Sequence, residues 1–180
     1  GSASTRAADT YLQQDRIPGE SREDKHKDRI EDLSYGHGMT QPTSNTRGSA
    51  GGATTGRAEH GDIVITKHSD KASPKLYEAR SKGTHIGKAK LEFLRAGGDK
   101  VKYLEITMEE VLISSVNAAG GSGPDVFPAE HVSLNFGKIE WVHTQKKRKD
   151  ETGRGTVTAN HECTAARRKN PAFSKTPTPL

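Results

Sequence analysis

The chain has 180 residues, of which 30% are hydrophobic, with a mean hydropathy of −0.84; this is enough for one domain with a thin core. Leu, Ile, Val and Phe number 29, and 22 of them fall between residues 61 and 142, so an ordered centre carries polar extensions. The net charge of +5 belongs to the end, where residues 145–180 hold nine Lys/Arg against three Asp/Glu; no apolar run is long enough for a transmembrane helix, and one cysteine leaves no internal disulfide.

Residues 1–8 read as a disordered lead-in or cloning scar, without the apolar segment of a cleavable signal peptide. Residues 10–15 form a weak first strand, and Ile17-Pro18-Gly19-Glu20-Ser21 a turn. Residues 22–28 are highly charged and are expected in solvent. Residues 29–35 form a second strand, with Leu33 and Tyr35 on one face and Ile30 off that parity. Residues 36–60 lack periodicity and hold six glycines, which makes them either a working loop or a solvated excursion. Residues 62–66 resume a strand, with Ile63 and Ile65 on one face. A short helix over 69–79 follows, with Ser73 or Asp70 as its cap, Pro74 in the first turn, Leu76, Tyr77 and Arg80 on one side, and Gly83 as its stop.

Next comes a hairpin. Residues 85–95 put Ala89, Leu91 and Phe93 on one face, and residues 101–116 return with Leu104, Ile106 and Met108. Alternation breaks at residues 109–113, which predicts a bulge or a strand passing between sheets. After a Gly/Pro loop at 118–128, a last long strand spans 130–144. Its face flips at Gly137-Lys138, because Val132, Leu134 and Phe136 are even-numbered whereas Ile139 and Trp141 are odd. Two strands that both change face imply a sheet curling into a barrel or sandwich.

Catalytic chemistry is missing. The eight histidines show no metalloprotease spacing, and His161-Glu162-Cys163 lacks the second cysteine pair of a zinc deaminase. Gly83-Thr84-His85-Ile86-Gly87-Lys88-Ala89 falls one residue short of a P-loop and enters a strand. Gly120-Gly121-Ser122-Gly123-Pro124 fails as a nucleophile elbow, and Glu109 and Glu110 alternate to opposite faces. No catalytic residue, metal ligand or cofactor is expected. Lys146-Lys147-Arg148-Lys149 and Arg167-Arg168-Lys169 either solubilise the tail or attract phosphates, but 5% aromatics is too few for a base-stacking platform.

Several strings, in order, resemble the haemolysin-coregulated protein (Hcp) family of type VI secretion. They are Ile17-Pro18-Gly19-Glu20-Ser21, Asp24-Lys25-His26-Lys27-Asp28, Asp70-Lys71-Ala72-Ser73-Pro74-Lys75-Leu76, Lys100-Val101-Lys102-Tyr103 with Val111-Leu112-Ile113-Ser114-Ser115-Val116, and Val132-Ser133-Leu134-Asn135-Phe136-Gly137-Lys138-Ile139-Glu140. The resemblance implies a mainly β fold: a two-sheet β-barrel or sandwich with one short flanking α-helix, over residues 9–165, followed by a basic tail at 166–180. It implies a non-enzymatic inner-tube subunit. Six copies close into a ring, rings stack into a hollow tube, and sheath contraction expels that tube with its effectors. Partners would be other copies of the chain, sheath and spike proteins and effectors, with no membrane insertion and no nucleic acid. The protein would wait in the bacterial cytoplasm and leave on firing.

By the same resemblance, the long loop at 37–60 reaches the neighbouring ring, through Arg47, Gly48, Gly51, Gly52, Gly56 and Arg57. Tyr35, Gly36 and His37 are the lumen- or effector-facing candidates. Polar residues replace the family's usual packing residues at Arg29, Asp32, His37 and His161. The alternative readings are a phage-type tail tube subunit and, from another class, a nucleic-acid-binding module using the basic tail.

Overall fold

The structure is a computed structural model that describes residues 8–40, 59–95, 101–120, 123, 127–145 and 155–163. Strand β1 (Ala8–Gln14) pairs antiparallel with β2 (Ile30–Asp32), and Leu33 separates β2 from β3 (Ser34–Gly36). Two short strands, β4 (Met39–Thr40) and β5 (Glu59–His60), pair with each other. Then come β6 (Ile63–His68), the helix α1 (Ser73–Lys82), β7 (His85–Arg95) and β8 (Lys102–Ala119). The described chain ends with β9 (Ala129–Asn135), β10 (Lys138–Thr144) and β11 (Thr156–Glu162).

Hydrogen bonds join nine of these strands, in the path β2-β1-β7-β8-β9-β6-β3 with β10 and β11 branching from β8. The path begins at β2 and ends at β3, which are neighbours in the chain, and the Leu33 N–H donates to the Thr66 carbonyl across the junction. The sheet therefore curls back on itself as a barrel, with α1 packed against it.

The curl originates at the two places where alternation breaks. In β8 the buried set changes from Ile106 and Met108 to Val111 and Ile113. Glu110 makes this possible by taking φ 53°, the left-handed region that a non-glycine residue rarely enters. The first half of β8 pairs with β7 and β10, and the second half reaches β9. The expected last strand is in fact two: β9 and β10 meet at the flip at Gly137, whose N–H donates to the Glu109 carbonyl at 3.0 Å. Inside lie Leu12, Ile30, Ile63, Ile65, Leu91, Ile106, Met108, Leu134 and Ile139, all essentially inaccessible. Each contributes about 1.5–3 kcal/mol of burial.

Several local expectations change. β11 has almost every residue exposed, so it shows no hydrophobic alternation, although it lies inside the span 9–165 expected to form the domain. Leu33 is 38% exposed while Asp32 is buried, because the chain turns between β2 and β3. The charged run at 22–28 is not wholly solvated: His26 is buried and stacks on Tyr11 at 4.5 Å. The helix starts after Ala72, with no side-chain cap. The Ser73 hydroxyl turns back to accept the Asp70 N–H, and Asp70 accepts the Ala72 N–H. Its buried side is Ser73, Leu76 and Ala79, with Tyr77 exposed. Gly83 ends it in the left-handed conformation (φ 61°), as its position predicts.

Two charged networks tie these parts together. The Lys67 ammonium is fully buried, 2.8 Å from Glu130 and 2.9 Å from Asp70, while the Ser69 and Ser73 hydroxyls also donate to Glu130. This network fastens the start of α1 to β6 and β9. Burial pushes the Glu130 carboxyl up, but the bonds from Lys67, Ser73 and Ser69 outweigh it and hold the group below its ordinary value. In the second network Glu92 binds His26 at 2.7 Å and Arg29 at 2.6 Å, and His26 also contacts Glu23. Burial again opposes ionisation of Glu92, and again hydrogen bonds from His26 and Arg29, with the Arg29 and Lys102 charges, win. Arg29, where the resemblance implies an apolar packing residue, thus has a charged partner on β7.

Candidate functional site

The long loop springs from β4 and β5, so its root is built even though residues 41–58, with Arg47, Gly48, Gly51, Gly52, Gly56 and Arg57, lie outside the described residues. Met39 pairs with His60 and Thr40 with Glu59. Just below, the Gly61 N–H donates to the Gly38 carbonyl at 2.9 Å, and a Cβ on Gly61 would stand 3.1 Å from that oxygen. Asp62 then fixes the start of β6, accepting from the Asn135 amide at 2.9 Å and from the Ser114 hydroxyl.

Aromatic rings pack this root against the sheet. His37 stacks on His60 (centroids 5.8 Å, planes 17° apart), and His60 meets His161 of β11 at 4.4 Å. Trp141 of β10 lies 6.2 Å from His37 and 5.9 Å from His60, and Phe136 turns its edge toward both histidines. All three histidines are half-buried. Burial holds His37 below the ordinary imidazole value; for His60 burial does the same, and the neighbouring His161 and His37 add to it.

Of the lumen- or effector-facing candidates, Tyr35 is half-buried and packs edge-on against Phe93 at 5.1 Å, and burial raises its phenol. Gly36 is exposed, and a Cβ there would meet nothing within 4 Å. His37 belongs to the ring stack. The structure thus brings His37 together with His60 and His161, a cluster invisible in a sequence that separates them by as many as 124 positions. The signals pointing to it are the polar residues at His37 and His161. On the opposite face of the wall, Lys88, Lys90, Glu105, Glu109, Lys138 and Glu140 line a shallow, charged depression. Among the described residues no group of histidine, cysteine or carboxylate side chains is arranged to hold a metal ion.

Residues 11–143 match the family described as "Type VI secretion system effector, Hcp". The chain belongs to this family. It is a structural, non-enzymatic protein of type VI secretion. It is 39% identical to "Protein hcp1" of Pseudomonas aeruginosa over 142 residues, which cover 78% of this chain and 86% of that one. It is also 27% identical to the "Major exported protein" of the same organism over 132 residues, 69% of this chain and 74% of the other. Among solved structures, Hcp1 from Salmonella typhimurium superposes with a TM-score of 0.73 at 27% identity, covering 89% of this chain and 97% of that one. The mainly β Hcp fold with one short helix expected from the sequence is the fold observed.

Proposed function

We propose that this Hcp chain is a wall segment of a tube: six copies close into a ring, and rings stack through the loop at 37–60. The match of residues 11–143 to the Hcp family carries this reading. Three features of the chain support it. The core is thin for 180 residues and gains from burial between subunits. The wall is curved by the bend at Glu110 and the flip at Gly137, and repeated head-to-tail contact between curved walls closes a ring. The loop root is anchored by β4–β5 pairing and ring stacking, so a long excursion leaves the barrel from a fixed point.

In this reading Arg47, Gly48, Gly51, Gly52, Gly56 and Arg57 meet the next ring, and the stretch Tyr35-Gly36-His37 faces cargo in the lumen. Sheath, spike and effector proteins are its partners. The protein assembles in the bacterial cytoplasm and is exported on firing, in keeping with the relative named "Major exported protein". Native mass spectrometry tests the ring: six copies of the 19.5 kDa chain weigh about 117 kDa. Deleting residues within 47–56 should leave that mass unchanged and abolish stacking; filaments as long as those of the intact chain would refute the loop's role.

A further inference from the structure

Three histidines from three separate elements pack together at the root of the long loop. Their setting is unusual in what it lacks. The His37 Nε2 and His60 Nδ1 atoms are buried without a hydrogen-bond partner. The histidine–carboxylate pairs among the described residues both belong to His26, which bonds Glu23 and Glu92. Among the described residues, the titratable groups that face His60 are His37, from the β3–β4 connection, and His161, from β11. The other packed elements present uncharged rings: Trp141 from β10 and Phe136 from the β9–β10 turn. Glu59 is exposed, and Glu162 alternates to the other face of β11 from His161. Cys163, the next residue on His161's side, packs against the core.

We propose that the His37–His60–His161 stack is a proton-operated latch, closed while the rings are neutral and released when more than one of them is charged. Neutral imidazoles pack in offset or tilted arrangements like other aromatic rings, as His37–His60 (17°) and His60–His161 (39°) do. One proton can be tolerated, because an imidazolium over Trp141 gains a cation–π contact. A second proton places two cations within 4.4–5.8 Å of each other, half-buried, with no carboxylate paired to either among the described residues. The protons therefore bind as a coupled set. The sign follows from the lowered values of His37 and His60. An unfolded or detached imidazole binds its proton near 6.5, above the value in the closed stack. Closure is complete above that pH and weakens as pH falls below it. The piece released is the β4–β5 root. Met39 is 61% exposed and Thr40 and Glu59 are exposed, so the rings are its main packing on β10 and β11.

This inference does not rest on the stacking role given to the loop, since it concerns only the root's attachment to its own barrel. The full chain carries its own reporter, because Trp141 is its single tryptophan. Trp141 fluorescence is titrated from pH 8 to pH 4.5, with light scattering followed in parallel so that any change in assembly is seen separately. The expected result is a change in emission with its midpoint below 6.5, the ordinary imidazole value. H161Q should move that midpoint upward, and the triple variant H37F/H60F/H161F should lose the transition. In the unsubstituted protein, hydrogen exchange at the Gly61 amide, corrected for its intrinsic pH dependence, should lose protection at the same midpoint. The amides of Leu91 and Ile106 should stay protected. A midpoint at or above 6.5, one unmoved by H161Q, or a transition surviving in the triple variant would overturn the latch. So would Gly61 protection that holds through the transition, or loss of protection at Leu91 together with Gly61, which would mark global unfolding.

Discussion

Replacing Asp32 with asparagine should stabilise this fold at neutral pH and do much less in acid. Asp32 sits on β2 opposite Thr10, 5% exposed, with both carboxylate oxygens lacking a hydrogen-bond partner. Burial raises its pKa well above the ordinary value; the Lys67 charge pulls the other way, and Asp70 adds to the rise. Lys67 cannot fully compensate Asp32, because Glu130 and Asp70 already hold it at 2.8 and 2.9 Å. A raised carboxyl means that the folded chain keeps a proton the unfolded chain has released. Stability therefore falls as pH rises from the unfolded value through the folded one, and stays lower above it. Asparagine has the same shape and no charge to bury. Removing a carboxyl that must either hold a proton or bury an unpaired charge should return about 1–3 kcal/mol near neutral pH. For a domain of this size each kcal/mol raises Tm by about 2–4 °C. Thermal unfolding of both proteins at about pH 7.5 and about pH 4.5 compares a pH well above the ordinary carboxyl value with one close to it. An equal gain at the two pH values would show that the charge is not the cause, and a loss at neutral pH would refute the reasoning outright.

Lys67→Met should cost about 3–5 kcal/mol in urea unfolding, because it strands Glu130 in the interior; adding Glu130→Gln should recover part of that loss. Glu92 has a lowered pKa, so its stabilisation is present above the unfolded carboxyl value and disappears as pH falls through the folded one. Glu92→Gln should accordingly flatten the acid limb of the stability profile, measured by denaturant midpoint against pH. Gly19→Ala should destabilise by about 2 kcal/mol or more, since the new Cβ would stand 2.3 Å from the Arg29 carbonyl oxygen, a backbone atom that cannot turn aside. A thermal midpoint within a degree of the parent would contradict that close approach.

The sequence exposes those parts of the fold that put one strand face in the core and the other in water. Ile63 and Ile65 against Val64 give β6 directly, and the parity change between Phe136 and Ile139 marks the flip at Gly137. β11 escapes such reading because pairing with β10, not burial, holds Thr156–Glu162 in place. Asp32 and His26 are hidden for the opposite reason: polar residues in polar surroundings look solvated until Lys67, Glu92 and Tyr11 arrive from distant elements. The helix start is missed because Ser73 spends its hydroxyl on Asp70, Lys67 and Glu130 and leaves the helix uncapped. Family strings pointed to secretion, while periodicity alone reached only a curled sheet. The histidine stack depends on β4–β5 pairing and on the register that sets Ile139 opposite His161, neither of which leaves a local pattern.

The central claim is that this curved wall closes into a ring of six. Negative-stain imaging of the purified 180-residue chain tests it most directly. Six-fold rings with an open centre, alone or stacked end to end, are the predicted result; uniformly monomeric particles at high protein concentration would contradict it.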